Sequence, residues 1–147
     1  MQILRALKQD HEELQELLGK IMQTGGMKTR QRLFEKMRRA LLVHTHAEQA
    51  TFYKALEEHD ESFDDALEAE VEHELIERLV ADLSEPDMEP GRWSAKCKVL
   101  NDLVGHHIKE EEGKMFKIAR QVFDRSTLQA LGGQFEAARK EQLQQVA

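Results

Sequence analysis

The chain has 147 residues, of which 40% are apolar and 33% charged, and this composition is typical of a folded globular protein rather than a disordered one. Its net charge of −7 argues against nucleic acid as the main partner, because phosphate binding needs a basic surface. The single cysteine, Cys97, excludes an internal disulfide and a four-cysteine zinc site.

The sequence also predicts that no segment crosses a membrane. It contains no apolar run of about 18 residues, the length at which a membrane span is considered. The first ten residues, MQILRALKQD, carry charges and lack a long apolar run, so they do not resemble a secretory signal. We therefore expect a cytoplasmic location, with neither a membrane nor a nucleic acid as partner.

Apolar residues recur at every third or fourth position along most of the chain, which is the period of an α-helix. Sustained alternation is missing and β-branched residues are scarce, so strands are not expected. The four apolar stripes contain Ile3, Leu4, Leu7, Leu14, Leu18 and Ile21; then Leu33, Phe34, Met37, Leu41, Ala47, Phe52 and Ala55; then Phe63, Ala66, Ala69, Ile76, Val80 and Leu83; and finally Val99, Leu100, Leu103, Val104, Met115 and Ile118.

Breaks between these stripes define the helices. Residues 24–26 contain two glycines that end the first helix, and residues 60–62 form a polar turn in which Ser62 is expected to cap the third. Residues 84–91 contain both prolines and separate the third helix from the fourth. A cap signal at 124–126 opens a fifth, shorter helix.

These elements predict an all-α fold, an up-down-up-down antiparallel four-helix bundle with an extra short C-terminal helix. Short loops make neighbouring helices antiparallel, which is the basis of this topology. We expect a single domain over residues 1–147, in which the bundle covers 3–120 and the C-terminal helix covers about 125–146.

Four of the seven histidines lie on the apolar stripes, one on each long helix: His11, His44, His73 and His107. In an antiparallel pair of helices, two residues at the same height have the turn at their midpoint. The midpoints of 11 and 44, 44 and 73, and 73 and 107 each fall within about two residues of a predicted break. The four imidazoles are therefore expected to meet at one level of the bundle interior.

Two carboxylates join this layer. Glu48 follows His44 by four positions and Glu111 follows His107 by four, so each lies one turn along the same inward face as its histidine. Buried carboxylates and imidazoles are costly unless they are paired or bind a metal. Four imidazoles and two carboxylates suit two first-row metal ions bridged by both carboxylates. The lack of thiolate favours iron, with manganese or zinc as substitutes.

This ordered set resembles the hemerythrin-like, or HHE cation-binding, domain family over roughly residues 3–120. The resemblance is carried by Asp10-His11, by His44 and Glu48 followed by Phe52-Tyr53, by Glu72-His73, and by His107, Glu111 and Glu112 followed by Met115-Phe116. It implies a non-haem centre of two oxo- or hydroxo-bridged iron ions in a four-helix bundle. The ligands that it implies are His11, His44, Glu48, His73, His107 and Glu111.

One departure from the family concerns its oxygen carriers, which have a second histidine four positions after the first on the third helix. Glu77 stands at that position here, so a fifth imidazole is missing. Glu77 and Glu70 are both candidates for an additional ligand, and a hydrogen bond to an imidazole is the favoured role for each. Lys114 lies near the inward stripe by angle, and the sequence gives no account of it.

Several functions are compatible with such a centre. The favoured one is binding of a small diatomic, O2 or NO, for sensing, storage or stress protection, because neutral imidazoles stabilise Fe(II). The alternatives are a redox enzyme that reduces NO or peroxide or oxidises Fe(II), an iron-handling protein, and a structural bundle that holds adventitious zinc. An enzyme would need an electron-transfer partner that the sequence does not identify. The chain is expected to be a monomer or a homodimer.

Overall fold

The computed structural model describes residues 1–146, and within that range the secondary structure is entirely helical. Two of the helices contain a π-helical segment of five residues in their second half. In chain order the helices are α1 (Ile3–Gln23), α2 (Met27–Glu48, then the π-helical Gln49–Tyr53, then Lys54–Leu56), α3 (Asp60–Leu83), α4 (Pro90–Glu110, then the π-helical Glu111–Met115, then Phe116–Val122) and α5 (Arg125–Gln145).

The chain breaks lie close to their predicted positions, with one correction. Residues 24–26 end α1, and α4 begins at Pro90, where a fixed φ angle suits the first helical turn. The turn predicted at 60–62 is wrong, because α3 already begins at Asp60 and the preceding residue, His59, is the extended one. Ser62 is not the cap: it is buried, and its hydroxyl donates to the carbonyl oxygen of Leu56 at 2.6 Å.

The C-terminal helix begins as the cap signal predicts. The Asp124 carboxylate accepts a hydrogen bond from the backbone N–H of Thr127 at 2.8 Å, which satisfies one of the free donors of the first turn. The helix then runs unbroken through Gly132 and Gly133. Here α5 packs across α1 and α2, and burial of Leu131 and Phe135 against them offsets the low helix propensity of the two glycines.

The first four helices form the antiparallel four-helix bundle that the sequence predicts, and α5 is the extra helix. The buried apolar residues form two clusters. One, at the end of the bundle that α5 covers, includes Leu7, Phe52 and Phe135. The other, at the opposite end, includes Leu18 and Leu100. The predicted histidine layer therefore lies between two apolar halves.

Two residues of the predicted core are on the surface instead. Phe63 is 42% exposed and Val99 is 53% exposed. Both lie at helical spacing from true core positions, but they belong to outer faces of α3 and α4. Where a helix has apolar residues on two sides, the helical period alone cannot show which side faces the core. Within residues 1–146, none of the helices combines the length and the apolar character that crossing a membrane requires.

Candidate metal centre

All six predicted site residues meet inside the bundle, and none is more than 4% exposed. Their side chains form two groups of four, and the ligand atoms within each group all lie within 4.8 Å of one another. Glu48 and Glu111 belong to both groups, so they lie between the two positions that a pair of cations would take. The first group is His11, His44, Glu48 and Glu111, and the second is Glu48, His73, His107 and Glu111.

The nitrogen and oxygen atoms that face this interior, which are the candidate metal ligands, lack well-directed hydrogen bonds from the protein. Among the described residues, Nε2 of His11, Nε2 of His44, both carboxylate oxygens of Glu48 and Oε1 of Glu111 are buried without a well-directed hydrogen bond. They contact one another or the other imidazoles, as Nε2 of His11 does at 3.1 Å from Oε1 of Glu111. Each unmet buried group costs about 1–3 kcal/mol or more. In the second group, Nε2 of His73 and Nε2 of His107 are 3.0 Å apart. Two cations would coordinate these nitrogen and oxygen atoms together, so the residues fit a two-metal site.

Three of the four histidines are held from outside by a carboxylate at Nδ1. The Nδ1 atom lies 2.7 Å from Glu112 Oε2 in His11, 2.8 Å from Asp10 Oδ2 in His44, and 2.6 Å from Glu72 Oε1 in His107. An ionised carboxylate can only accept, so Nδ1 carries the hydrogen in each case. The Nε2 lone pair of the neutral ring then points to the interior, which is the tautomer that binds metal.

His73 is the exception. Its Nδ1 atom is buried without a hydrogen-bond partner among the described residues. Its Nε2 atom lies 3.3 Å from Glu48 Oε1 and 3.1 Å from the hydroxyl oxygen of Tyr53. The orientation of this ring is therefore set by contacts inside the centre and by the packing of its faces, rather than by an outer carboxylate.

Tyr53 is the functional residue that sequence reasoning missed. It is fully buried, and its hydroxyl lies 3.1 Å from Nε2 of both His73 and His107 and donates to Oε2 of Glu111. An ideal α-helix would place Tyr53 about 180° from His44, facing away from the centre. The π-helical segment at Gln49–Tyr53 changes that register and turns the phenol inward.

The π-helical segment on α4 brings a different residue to the corresponding position. Phe116 follows His107 by nine positions, as Tyr53 follows His44, and it comes directly after the second π-helical segment. Phe116 is buried but carries no hydroxyl. The centre is therefore nearly symmetric in its histidines and glutamates and asymmetric in its phenol, which lies only in the second group.

The pKa values of His44 and His107 are shifted in the opposite direction from that of His73. Burial lowers the pKa of His44, but the charge of Glu48 and the hydrogen bond to Asp10 outweigh it and raise that pKa to about 10. Burial is likewise outweighed at His107, where hydrogen bonds to Glu111 and Glu72 raise the pKa to about 10. Burial prevails at His73 and lowers its pKa.

The carboxylate of Glu111 is held in its charged form. Burial works against the charge, but the imidazoles of His107 and His11 outweigh it and keep the pKa of Glu111 well below its usual range. The centre thus offers ionised oxygen and, at Nε2, imidazole nitrogen, which are borderline and hard ligands suited to first-row divalent metals.

The remaining candidates lie outside the centre. Glu77 accepts a hydrogen bond from the Thr45 hydroxyl at 2.8 Å and pairs with His46. Glu70 shares a hydrogen bond with Glu57, which raises the pKa of Glu70 to about 7. Neither contacts one of the four central imidazoles; Asp10, Glu72 and Glu112 take that role instead. Lys114 is exposed and pairs with Asp65 at 3.2 Å, which gives it a surface role.

Comparisons with known proteins agree with this geometry. The family model described as the hemerythrin HHE cation binding domain matches residues 2–119. A crystal structure of a hemerythrin HHE cation binding domain-containing protein from Mycobacterium kansasii is similar to this chain with a TM-score of 0.85. That similarity covers 99% of this chain and 89% of the other at 22% identity, so it shows the fold. A comparison with curated proteins gave no significant match.

Proposed function

Because the chain belongs to the hemerythrin HHE cation-binding domain family, we propose that it holds two iron ions and binds a small diatomic, O2 or NO. The proposed ligands are His11, His44, Glu48, His73, His107 and Glu111. The observation that carries this proposal is the set of buried, unpartnered donor atoms that converge from four helices. Manganese and zinc fit the same donors and are the substitutes to be tested.

The balance of ligands favours binding over oxidative chemistry. With metal bound, the four imidazoles are neutral ligands and the two carboxylates are charged ones, so this ligand set stabilises Fe(II) more than a carboxylate-rich set would. When bound, iron would supply reversible coordination of the diatomic and one-electron redox chemistry. The chain supplies the rest: Asp10, Glu72 and Glu112 hold three imidazole tautomers, and the two apolar clusters exclude bulk water from the centre.

Metal analysis of protein produced with ample iron tests the ligand assignment. We expect two irons per chain, and we expect His107→Ala and Glu111→Ala to lose iron while most helicity by circular dichroism is retained. The matched controls are His106→Ala and Glu110→Ala, which alter exposed neighbours on α4 and should keep their iron. Unchanged iron in both ligand variants would contradict the assignment.

Optical spectroscopy tests the diatomic itself. Titration of the ferrous protein with O2 or NO should give a saturable spectral change with a fixed stoichiometry per centre, and removal of the gas should reverse it. Zinc-loaded protein is the control, because zinc has no redox chemistry and no visible absorption of its own. Iron-loaded protein whose spectrum ignores both gases would contradict diatomic binding while leaving the metal site intact.

Tyr53 favours a second candidate function, a redox enzyme that reduces NO or peroxide. Its buried hydroxyl is in contact with Glu111 and two imidazoles, so it can hold or deliver a proton at the Tyr53 oxygen. Turnover of excess peroxide or NO in the presence of a chemical reductant would support this candidate. Consumption that stops after one equivalent per centre would support binding alone.

A further inference from the structure

Helix α3 carries a second apolar row on the side that faces away from the bundle. The row consists of Phe63, Leu67, Val71 and Leu75, which are 42%, 40%, 52% and 44% exposed. Their spacing of four residues makes them one continuous ridge on the helix surface. At 1.5 Å per residue, the ridge is about 18 Å long.

The ridge is distinct from the face by which α3 packs in the core. That face contains Ala66, Ala69, Ile76 and Val80, together with His73 of the centre. At 100° per residue, the middle of the ridge lies about 170° from the middle of the core face. A helix with apolar residues on opposite sides is usually covered on both sides, and contiguous exposed apolar patches commonly mark interaction sites.

The charges beside the ridge are negative along its length, and the exposed Arg78, three positions after Leu75, is the one cation at its C-terminal end. Between residues 60 and 77 the sequence has no Lys or Arg. Nine carboxylates lie in the same interval: Asp60, Glu61, Asp64, Asp65, Glu68, Glu70, Glu72, Glu74 and Glu77. Five of them lie by helical angle on the same side as the ridge. Glu70 shares a hydrogen bond with Glu57, and the other four are Asp60, Asp64, Glu68 and Glu74. Within residues 1–146, none of these four has an ion-pair partner.

This charge pattern decides which occupant fits. A second copy that presented its own ridge would bring like charges together, which opposes pairing. The basic part of this chain, residues 28–39, has six Lys and Arg and one carboxylate. Its large apolar residues, Leu33, Phe34 and Met37, are half-buried or buried. This segment of a second copy therefore does not present cations and an apolar row on the same surface.

We propose that the outer face of α3 is a docking site for an amphipathic helix of a separate protein. That helix has apolar residues at every fourth position, which interlock with the ridge, and Lys or Arg beside them, which pair with the four carboxylates. Ridges of this spacing pack with helices crossing at roughly −50°. Val71 and Leu75 lie on either side of His73 in the sequence, so the partner would bind about one helix diameter, roughly 10 Å, from the metal centre.

A synthetic peptide tests the proposal directly, with metal-loaded full-length protein. The probe is a fluorescent helical peptide with leucine at every fourth position and lysine or arginine beside each leucine. Two matched peptides replace either the leucines by serine or the cations by glutamate. In fluorescence anisotropy we expect the probe to bind at least about tenfold more tightly than either matched peptide, with an affinity that falls as salt rises.

Protein variants give the matched control. The double variant Leu67→Ser with Val71→Ser should weaken binding of the probe at least about tenfold. Val99→Ser alters an equally exposed apolar residue on α4 and should leave the affinity unchanged. Circular dichroism and metal content should be the same in all three proteins, because the altered side chains lie outside the core.

Three results would overturn the proposal. Tight binding of the serine peptide would mean that charge alone drives the interaction. Equal affinity of the ridge variant and the original protein would mean that the peptide binds elsewhere. Reversible self-association of the protein alone, lost in the ridge variant when followed by analytical ultracentrifugation, would mean that a second copy covers the ridge.

Discussion

At the scale of single residues, the four histidines of the centre differ in what holds their outer nitrogen. His11, His44 and His107 each donate from Nδ1 to a carboxylate, whereas Nδ1 of His73 has no hydrogen-bond partner among residues 1–146. An outer carboxylate fixes the ring and makes its inner nitrogen a better donor to a metal. The proposed metal position between His11 and His44 should therefore depend on Asp10 and Glu112.

Asp10→Asn tests this dependence. The amide keeps the size of Asp10 but removes the charge that holds the Nδ1–H of His44, so we expect about 10–100-fold weaker metal binding. Competition with a calibrated chelator measures the affinity. Glu13→Gln on the same helix is the control, because Glu13 is exposed and lies outside the centre. Equal affinity of Asp10→Asn and the original protein would show that the outer carboxylate has no influence on the site.

Tyr53→Phe is the second test at this scale. It removes the hydroxyl that donates to Glu111 and touches His73 and His107, and leaves the ring in place. We expect the metal content to be retained, since the six proposed ligands remain, and the visible spectrum of the oxidised iron-loaded protein to change because the proton that the phenol holds against Glu111 is lost. Absorption spectroscopy with parallel metal analysis measures this.

Phe52→Tyr is the control. It changes the neighbouring aromatic residue in the same apolar cluster, so it measures the effect of altered packing alone. If Tyr53→Phe and the original protein have superimposable spectra in every redox state, the phenol is a packing residue and its hydrogen bond to Glu111 does not influence the centre.

At the scale of elements, the π-helical segments explain which parts of the site the sequence could reveal. The period of 3.6 brings His44 and Glu48 onto one face because both precede the π-helical Gln49–Tyr53. His107 likewise precedes the second π-helical segment, and Glu111 is the first residue of that segment, so the α-helical angle between them still applies. Beyond those points an α-helical angle is wrong, so Tyr53 could not be placed without the structure. Phe63 was misplaced for another reason, since α3 has two apolar sides.

Helix α5 is the element whose contribution the family pattern does not cover, because the family match ends at residue 119. Phe135 packs edge-on against the His44 ring at 6.0 Å between ring centroids. Nε of Arg139 lies 3.2 Å from Oδ2 of Asp10, the oxygen that accepts from His44. The helix thus covers the centre on the His44 side and holds its outer hydrogen-bond partner.

Gly132→Ala tests that role. A Cβ at Gly132 would lie 1.9 Å from the carbonyl oxygen of Met1, so α5 and the backbone that leads into α1 must move apart. We expect a loss of about 1–3 kcal/mol in the free energy of unfolding and faster release of metal to a chelator, because Phe135 moves with the helix. Urea denaturation and stopped-flow chelation measure the two effects.

Gly133→Ala is a matched control for Gly132→Ala. No atom lies within 4 Å of a Cβ at that position, so the substitution should only improve helix propensity, by up to about 1 kcal/mol. If both variants gain stability and keep their metal release rates, the close approach of α5 to Met1 is not required for the centre.

At the scale of the whole molecule, the buried histidines make the stability of the metal-free protein depend on pH, and metal loading should reduce that dependence. Without metal, His44 and His107 have pKa values of about 10 in the folded protein, above the ordinary value of 6.5. A raised folded pKa adds stability that is complete below pH 6.5 and is lost as pH rises toward 10. In the metal-loaded protein these rings must be neutral, because Nε2 binds the cation.

We therefore expect the melting temperature of metal-free protein to fall as pH is raised from 6.5 to 10, and that of the metal-loaded protein to change less over this range. Scanning calorimetry of both forms in matched buffers measures the difference. His106→Ala serves as a reference, since it removes an exposed histidine next to His107 and should leave both profiles unchanged. A metal-free protein that gains stability with rising pH would show that His44 and His107 are already neutral, and the proposed charge balance of the empty centre would be wrong.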